Sequence, residues 1–101
     1  MTTYQHLSVA QLKSKLADNE SLQIVDIRDP ASFSAGHIPG AFNLSNDNLA
    51  DYIRDADLDQ PLVVVCYHGI SSQGASAYMI EQGFDEVYSL DGGFQGWQES
   101  L

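Results

Sequence analysis

The stretch PLVVVCYHGISS, Pro61 to Ser72, decides the fold class. It begins with a continuous β-branched run, which is typical of a strand that is covered on both faces and therefore belongs to a parallel sheet. The run ends at Cys66, the only cysteine of the chain, and a helix is predicted from Ser71 to Gln82. Gly83 would be the left-handed C-cap of that helix. The stretch therefore places a thiol where a buried strand ends and a helix is about to begin.

Strands and helices alternate along the rest of the chain. The spacing of Ser8 and Gln11 is that of a capping box, which predicts a helix over residues 9–17. Ser45 is predicted to be the N-cap of a helix in the middle of the chain. The other predicted strands are residues 21–27, 41–44 and 86–90, and the sequence GGFQGWQESL is predicted to form a last helix. This alternation predicts an α/β fold with a small parallel sheet and right-handed crossovers.

Length and composition indicate one globular domain that covers residues 1–101. Apolar residues make up 44% of the chain, but no window approaches the roughly 18 consecutive apolar residues of a membrane span, so no membrane is expected. The N-terminus lacks the basic and apolar regions of a signal peptide, which makes the cytoplasm the expected location. A single cysteine also leaves no internal disulfide to expect.

The charge balance is strongly acidic, with 14 Asp and Glu against four Lys and Arg and a formal net charge of -10. Nucleic acid is therefore not an expected partner, because phosphate binding needs clustered basic residues. No Lys or Arg follows Arg54. If the segment after Cys66 binds an anion, it must do so mainly through backbone N–H groups, with His68 as a further candidate.

The segment after Cys66 has the features of a nucleophile site. Gly69 permits backbone conformations that other residues avoid, and Ser71 and Ser72 are predicted to cap the following helix. Successive N–H groups would then form a nest around the sulfur, and a helix N-terminus lowers the pKa of a thiol and so favours the reactive thiolate. The alternative is a buried structural cysteine, since free cysteine is among the most buried residue types.

Phosphoester hydrolysis and metal binding are two other chemistries that a cysteine at this position could serve. Cysteine phosphatases use the same strand–loop–helix arrangement with a C-x5-R signature, but Ser72 occupies the arginine position here. Phosphoester hydrolysis would therefore lose its main source of charge stabilisation. A metal site is not expected either, because one cysteine and three scattered histidines (His6, His37 and His68) show no ligand spacing.

Three motifs carry a resemblance to a known family. The sequence VDIRDPASFSAGHIPGAFNL (residues 25–44) resembles the first signature of the rhodanese family, CYHGISS (66–72) its active-site loop, and LDGGFQGW (90–97) its closing signature. The three occur in the family's order and spacing and cover nearly the whole chain. The loop and the short length are most similar to the single-domain thiosulfate sulfurtransferases that bacteria encode with glycerol-3-phosphate genes.

The resemblance implies a rhodanese-like fold, a five-stranded parallel sheet flanked by helices on both faces. It also implies a thiosulfate sulfurtransferase that forms a persulfide on Cys66, releases sulfite and passes the sulfur to cyanide or a dithiol. Backbone amides from Tyr67, His68, Gly69, Ile70 and Ser71 would bind the persulfide and the substrate oxygens. No metal or organic cofactor is implied, and ping-pong kinetics are expected.

The loop departs from the commoner family sequence C-R-K-G-V-T, because Tyr67 and His68 occupy positions that are often basic. This departure predicts weaker binding of thiosulfate or a preference for another sulfur donor. His68 is either a partly cationic ligand or an ordinary exposed loop histidine. The alternative function is a sulfur-carrier domain loaded by a protein persulfide donor, and thioredoxin-like dithiol proteins are candidate acceptors for either function. A catalytically silent interaction domain is the least favoured hypothesis.

A few other residues have predicted roles in the scaffold. Asp26 and Arg28 belong either to the rim of the site or to a scaffold ion pair, and the scaffold is favoured. The run Asp91–Gly93 is predicted to be a tight entry to the last helix, since paired glycines usually mean close backbone approach. His37 is expected to be a structural loop residue, and Trp97 is expected to lie in the core.

Overall fold

Five parallel strands form one sheet in the structure, a computed structural model that describes residues 3–101. The strands are β1 Gln5–Leu7, β2 Gln23–Asp26, β3 Phe42–Asn43, β4 Leu62–Val65 and β5 Val87–Leu90. The helices are α1 Val9–Ala17, α2 Pro30–Ala35, α3 Leu49–Asp55, α4 Ser71–Glu81 and α5 Gly93–Glu99. The strand order is β1-β5-β4-β2-β3, with every neighbouring pair parallel, which confirms the predicted α/β sheet.

Strand β4 is the centre of the sheet, and all four of its side chains are buried. Val63 and Val65 belong to a core cluster that also contains residues of α1 and α5. Leu62 and Val64 point to the opposite face and belong to a second cluster, to which α3 and α4 contribute. Full burial of each such side chain stabilises the fold by about 1.5–3 kcal/mol. The continuous apolar run is thus explained by helices on both faces.

Two helix ends have the structure that the sequence predicts. At α1 the Ser8 hydroxyl accepts from the Gln11 amide at 3.1 Å, and the Gln11 side chain accepts from the Ser8 amide at 2.9 Å, which completes the capping box. At the end of α4, Gly83 has a φ of +107°, which favours glycine. The Phe84 amide donates back to the Met79 carbonyl, as in a Schellman motif.

Strand β1 was not among the strands that the residue pattern predicts. Gln5 and His6 are exposed and only Leu7 is buried, so the segment has no apolar alternation. It pairs with β5 at the edge of the sheet. A three-residue edge strand of this kind leaves little pattern in a sequence, because one buried side chain is enough to fix it.

The predicted N-cap at Ser45 is wrong. Helix α3 begins at Leu49 and its N-cap is Asn48. The Asn48 side chain accepts from the Ser45 amide at 2.8 Å, which closes a turn ahead of the helix. Asn side chains readily form such local turns, and this one delays the start of the helix by three residues.

Two residues assigned to the scaffold lie as expected. Trp97 is buried in the α1/α5 core cluster. His37 stacks on Phe33 with ring centroids 3.9 Å apart, and its Nδ1 lies 2.8 Å from the Phe33 carbonyl oxygen. Within residues 3–101, no helix has the length and apolar character that crossing a membrane requires.

Candidate active site

Cys66 directly follows β4 and lies at the carboxyl edge of the sheet, where sites form in open parallel α/β folds. The residue is only 4% exposed. Its neighbour Val65 is fixed in the sheet, because the Ile27 amide donates to the Val65 carbonyl at 2.9 Å. The thiol therefore has a rigid strand behind it and a short loop, residues 67–70, in front of it.

Two backbone amides, one in this loop and one in the first turn of α4, converge on the sulfur. The Gly69 amide donates to Cys66 Sγ at 3.1 Å, and the Ser72 amide donates to it at 3.3 Å. Gly69 has a φ of +86°, and a Cβ atom there would lie 2.8 Å from the Gly92 amide nitrogen. Only glycine meets both conditions, so the nest predicted from the sequence depends on this residue.

The prediction that Ser71 and Ser72 cap α4 with their side chains is wrong. The N-cap is Ile70, and no side chain of residues 3–101 caps the helix. The Ser72 hydroxyl is instead buried 2.7 Å from the Ser89 hydroxyl, which joins α4 to β5. A side-chain cap would compete for the amides of the first helical turn, and one of those amides is used by the sulfur. The Ser72 amide lies one residue beyond the predicted loop, and its role was missed.

The surroundings favour the thiolate of Cys66. Burial on its own raises the pKa of the thiol, because it disfavours the charged form. Hydrogen bonds from Ser72 and from loop backbone amides outweigh burial, and the pKa is lowered below its ordinary value. At neutral pH, the fraction of Cys66 present as the nucleophilic thiolate is therefore larger than in a free cysteine.

The start of α5 supports the loop from behind. The Phe94 amide donates to the Cys66 carbonyl at 2.8 Å, and the Gln95 amide donates to the Tyr67 carbonyl at 3.1 Å. A Cβ atom on Gly93 would lie 2.5 Å from the Cys66 carbonyl oxygen. The paired glycines thus permit the close backbone approach that the sequence predicts at this position.

Asp26 and Arg28 form a buried ion pair at the end of β2. Arg28 Nη2 lies 2.8 Å from Asp26 Oδ2, and the same nitrogen donates to the Gly36 carbonyl at 2.7 Å. The guanidinium also lies 4.1 Å from the centre of the Phe94 ring. The favoured interpretation as a scaffold ion pair is therefore confirmed, and this cation is committed to partners within the fold.

The side chains of the predicted loop residues point mostly to solvent. Tyr67 is 45% exposed, Ile70 is 75% exposed, and His68 and Ser71 are exposed as well. The Tyr67 hydroxyl donates to the Asp29 carboxylate. The amides of Gly69 and Ser72 are therefore the groups that the structure brings to the sulfur, while the loop side chains form its outer rim.

Within residues 3–101, no three His, Cys, Asp or Glu side chains are grouped so that they could hold a metal ion. The reactive arrangement is a thiol with a lowered pKa at the carboxyl end of a central parallel strand, facing convergent amides. Such an arrangement is typical of α/β enzymes that transfer a group through a cysteine nucleophile.

The chain belongs to the rhodanese family, since the model of the rhodanese-like domain matches residues 8–100. It is 63% identical over 100 residues to thiosulfate sulfurtransferase GlpE of Shewanella oneidensis, covering 99% of this chain and 98% of that protein. It is 56% identical over 96 residues to the protein of the same name from Pseudomonas aeruginosa, covering 95% and 86%. Among solved structures, a rhodanese-like domain protein from Staphylococcus aureus has a TM-score of 0.81 at 28% identity, covering 92% and 90%.

Proposed function

We propose that this chain is a thiosulfate sulfurtransferase and that residues 1–101 act as one rhodanese domain. The observation that carries the proposal is the pair of amides, from Gly69 and Ser72, that donate to the Cys66 sulfur. The names of the similar proteins from Shewanella and Pseudomonas support thiosulfate as the donor. The family supports the reaction type.

In the first step the Cys66 thiolate attacks the outer sulfur of thiosulfate. The S–S bond of thiosulfate breaks, sulfite leaves with the bonding electron pair, and a persulfide forms on Cys66. The substrate oxygens bind to the amides of the loop from Tyr67 to Ser71, and the Ser72 amide extends this set. Amides that are fixed before the reaction stabilise the developing charge without reorganisation.

In the second step a thiophilic acceptor removes the outer sulfur. Cyanide attacks that sulfur, thiocyanate leaves, and the electron pair of the broken bond returns to Cys66 as thiolate. With a dithiol, including that of a thioredoxin-like protein, one thiolate attacks the same sulfur, takes it as its own persulfide and releases the Cys66 thiolate. The second thiol then displaces that sulfur as sulfide, and the acceptor is left as a disulfide. The two half-reactions share one site, so ping-pong kinetics follow, and neither step requires a metal or an organic cofactor.

The loop rim supports a second candidate, a sulfur-relay domain loaded by a protein persulfide donor. Ile70 is 75% exposed and Tyr67 is 45% exposed, so the loop that follows the thiol presents apolar surface to solvent. Such surface suits a protein better than a small dianion. Arg28, whose guanidinium lies 5.6 Å from the centre of the Tyr67 ring, is already paired with Asp26.

Steady-state rates with thiosulfate and cyanide test the first candidate against the second. The sulfurtransferase predicts saturable thiocyanate formation with parallel double-reciprocal plots. Negligible turnover by a protein whose Cys66 still reacts with iodoacetamide would contradict it. Persulfide loading of Cys66 by a cysteine desulfurase under the same conditions would then favour the relay domain.

We also propose that the protein works in the cytoplasm. Cys66 is a free thiol, and the cycle returns it to the thiolate after each transfer. A compartment that keeps thiols reduced sustains that cycle, whereas an oxidising one would remove the nucleophile.

A further inference from the structure

The Tyr67 side chain connects the active-site loop to the start of α2. Its hydroxyl donates to Asp29 Oδ1, and the Ser32 hydroxyl oxygen lies 2.6 Å from the Tyr67 hydroxyl oxygen and 2.8 Å from Asp29 Oδ1. Asp29 is also the N-cap of α2, because its Oδ2 accepts from the Ser32 amide at 3.0 Å. We call the three side chains of Tyr67, Asp29 and Ser32 the tether.

The Tyr67 ring is fixed from a second direction. The Arg28 guanidinium lies 5.6 Å from the ring centre, and Arg28 is held by its buried ion pair with Asp26. Among residues 67–70, Tyr67 is the one whose side chain forms hydrogen bonds. The front of the loop therefore depends on this residue, whereas its back is held by the amides of α5.

We propose that Tyr67 and Asp29 are positioning residues that hold the loop in the conformation in which its amides face the Cys66 sulfur. Gly69 is two residues beyond Tyr67 and donates to Sγ at 3.1 Å. A hydrogen bond weakens steeply with distance and angle, so a small displacement of Tyr67 would weaken the bond from Gly69. The inference deepens the proposed function and rests on the assignment of Cys66 as its nucleophile.

The charge of Asp29 strengthens this connection. The hydrogen bond from Tyr67 is the largest cause that lowers the pKa of Asp29, to about 2, with Ser32 contributing as well. The acceptor is therefore an ionised carboxylate throughout the neutral range, and hydrogen bonds to an ionised acceptor are stronger than neutral ones. The tether should therefore keep its strength across the neutral range.

The test is the pH dependence of the alkylation of Cys66 by iodoacetamide, which reports the thiolate without any sulfur donor. Tyr67→Phe keeps the ring and removes the hydroxyl. We expect the midpoint to rise by about 0.5 pH unit, which lowers the alkylation rate at pH 7 about threefold. Tyr78→Phe is the matched control, since Tyr78 is a similarly exposed tyrosine on α4, and its midpoint should equal that of the wild type.

Asp29→Ser separates the tether from the capping of α2. Serine is as good an N-cap as aspartate but is too short to reach the Tyr67 hydroxyl while it caps the helix. We expect Asp29→Ser to raise the midpoint by less than Tyr67→Phe does, because the Ser32 hydroxyl still lies 2.6 Å from the Tyr67 hydroxyl. The double variant should shift no further than Tyr67→Phe, because that change already removes both contacts of the Tyr67 hydroxyl.

An unchanged midpoint in Tyr67→Phe, or a second full shift in the double variant, would overturn the inference. Failure of the proposed function is a separate result. In that case the alkylation profiles would shift as expected, while the wild type would not form thiocyanate from thiosulfate.

Discussion

Strands β2 and β4 are neighbours that end at the same edge of the sheet, yet their polar ends are built differently. At the end of β2, Asp26 and Arg28 are buried and satisfy each other. At the end of β4, the Cys66 sulfur is also buried, but its hydrogen bonds come from backbone amides of the following loop and of the first turn of α4. The ion pair is complete without a ligand, whereas the amides can be shared with an incoming anion. The first end is satisfied within the fold, whereas the second end is the one that the proposed sulfur transfer uses.

The largest expected effect comes from removing the Cys66 thiol at the end of β4. Cys66→Ser and Cys66→Ala should lower sulfur transfer from thiosulfate to cyanide by about 10³-fold or more, because neither variant can form the persulfide. Both should unfold in urea close to the wild-type midpoint. Sulfur transfer that persists in either variant would refute the assignment of Cys66 as nucleophile.

Breaking the ion pair at the end of β2 should mainly lower the stability of the fold, whereas replacing Cys66 should mainly lower activity. Arg28→Met leaves the Asp26 carboxylate buried without its partner, which should lower the free energy of unfolding by about 3–5 kcal/mol. Urea denaturation measures this loss. The double variant Asp26→Asn/Arg28→Met should recover part of it, since the uncompensated charge is gone. Equal losses in the single and double variants would show that the unpaired charge of Asp26 is not the cause of the lost stability.

A smaller effect should follow from a substitution at the start of α5, where backbone amides hold the segment after Cys66. Gly93→Ala places a Cβ atom against the Cys66 carbonyl and adds side-chain strain at a φ of +59°. We expect a stability loss above about 2 kcal/mol and a lower kcat. Gly40→Ala is the control, because its φ is +85° but no atom of the described residues lies within 4 Å of its Cβ position. It should lose about 1–2 kcal/mol and keep its kcat. Equal kcat values in the two variants would argue against the support role.

The smallest expected effect is on the salt dependence of kcat/KM, which reports how thiosulfate approaches Cys66 at the end of β4. The chain has a formal charge of -10, so a dianion is repelled at long range. Raising ionic strength from low values to about 0.15 M should increase kcat/KM for thiosulfate about twofold, because salt screens this repulsion. A steep fall with salt would instead reveal a local cationic site at the loop.

Much of the fold could be predicted because its signals are local. The capping box of Ser8 predicts α1 with the observed bounds, and Gly83 ends α4 as expected. The edge strand β1 could not be predicted from the residue pattern, because its pairing with β5 depends on tertiary contact and on one buried leucine. The start of α3 was misplaced, since Ser45 and Asn48 are both good capping residues and only the folded turn distinguishes them.

The candidate site likewise combines residues that could be found from the sequence with contacts that could not. Cys66 and Gly69 could be found from the sequence, because a thiol at a strand end followed by glycine is a local pattern. The contacts of Asp29 with Tyr67 could not, since 38 residues separate them and Asp29 carries only the local signal of a helix cap before Pro30. The Ser72 amide was missed because its side chain suggested a cap.

The most direct test of the difference between the two strand ends is the intact mass of the protein after incubation with thiosulfate. A persulfide on Cys66 predicts a gain of about 32 Da, which cyanide removes and which Cys66→Ser does not show. No gain in the wild type, or the same gain in Cys66→Ser, would contradict the account of the β4 end as a sulfur-transfer site.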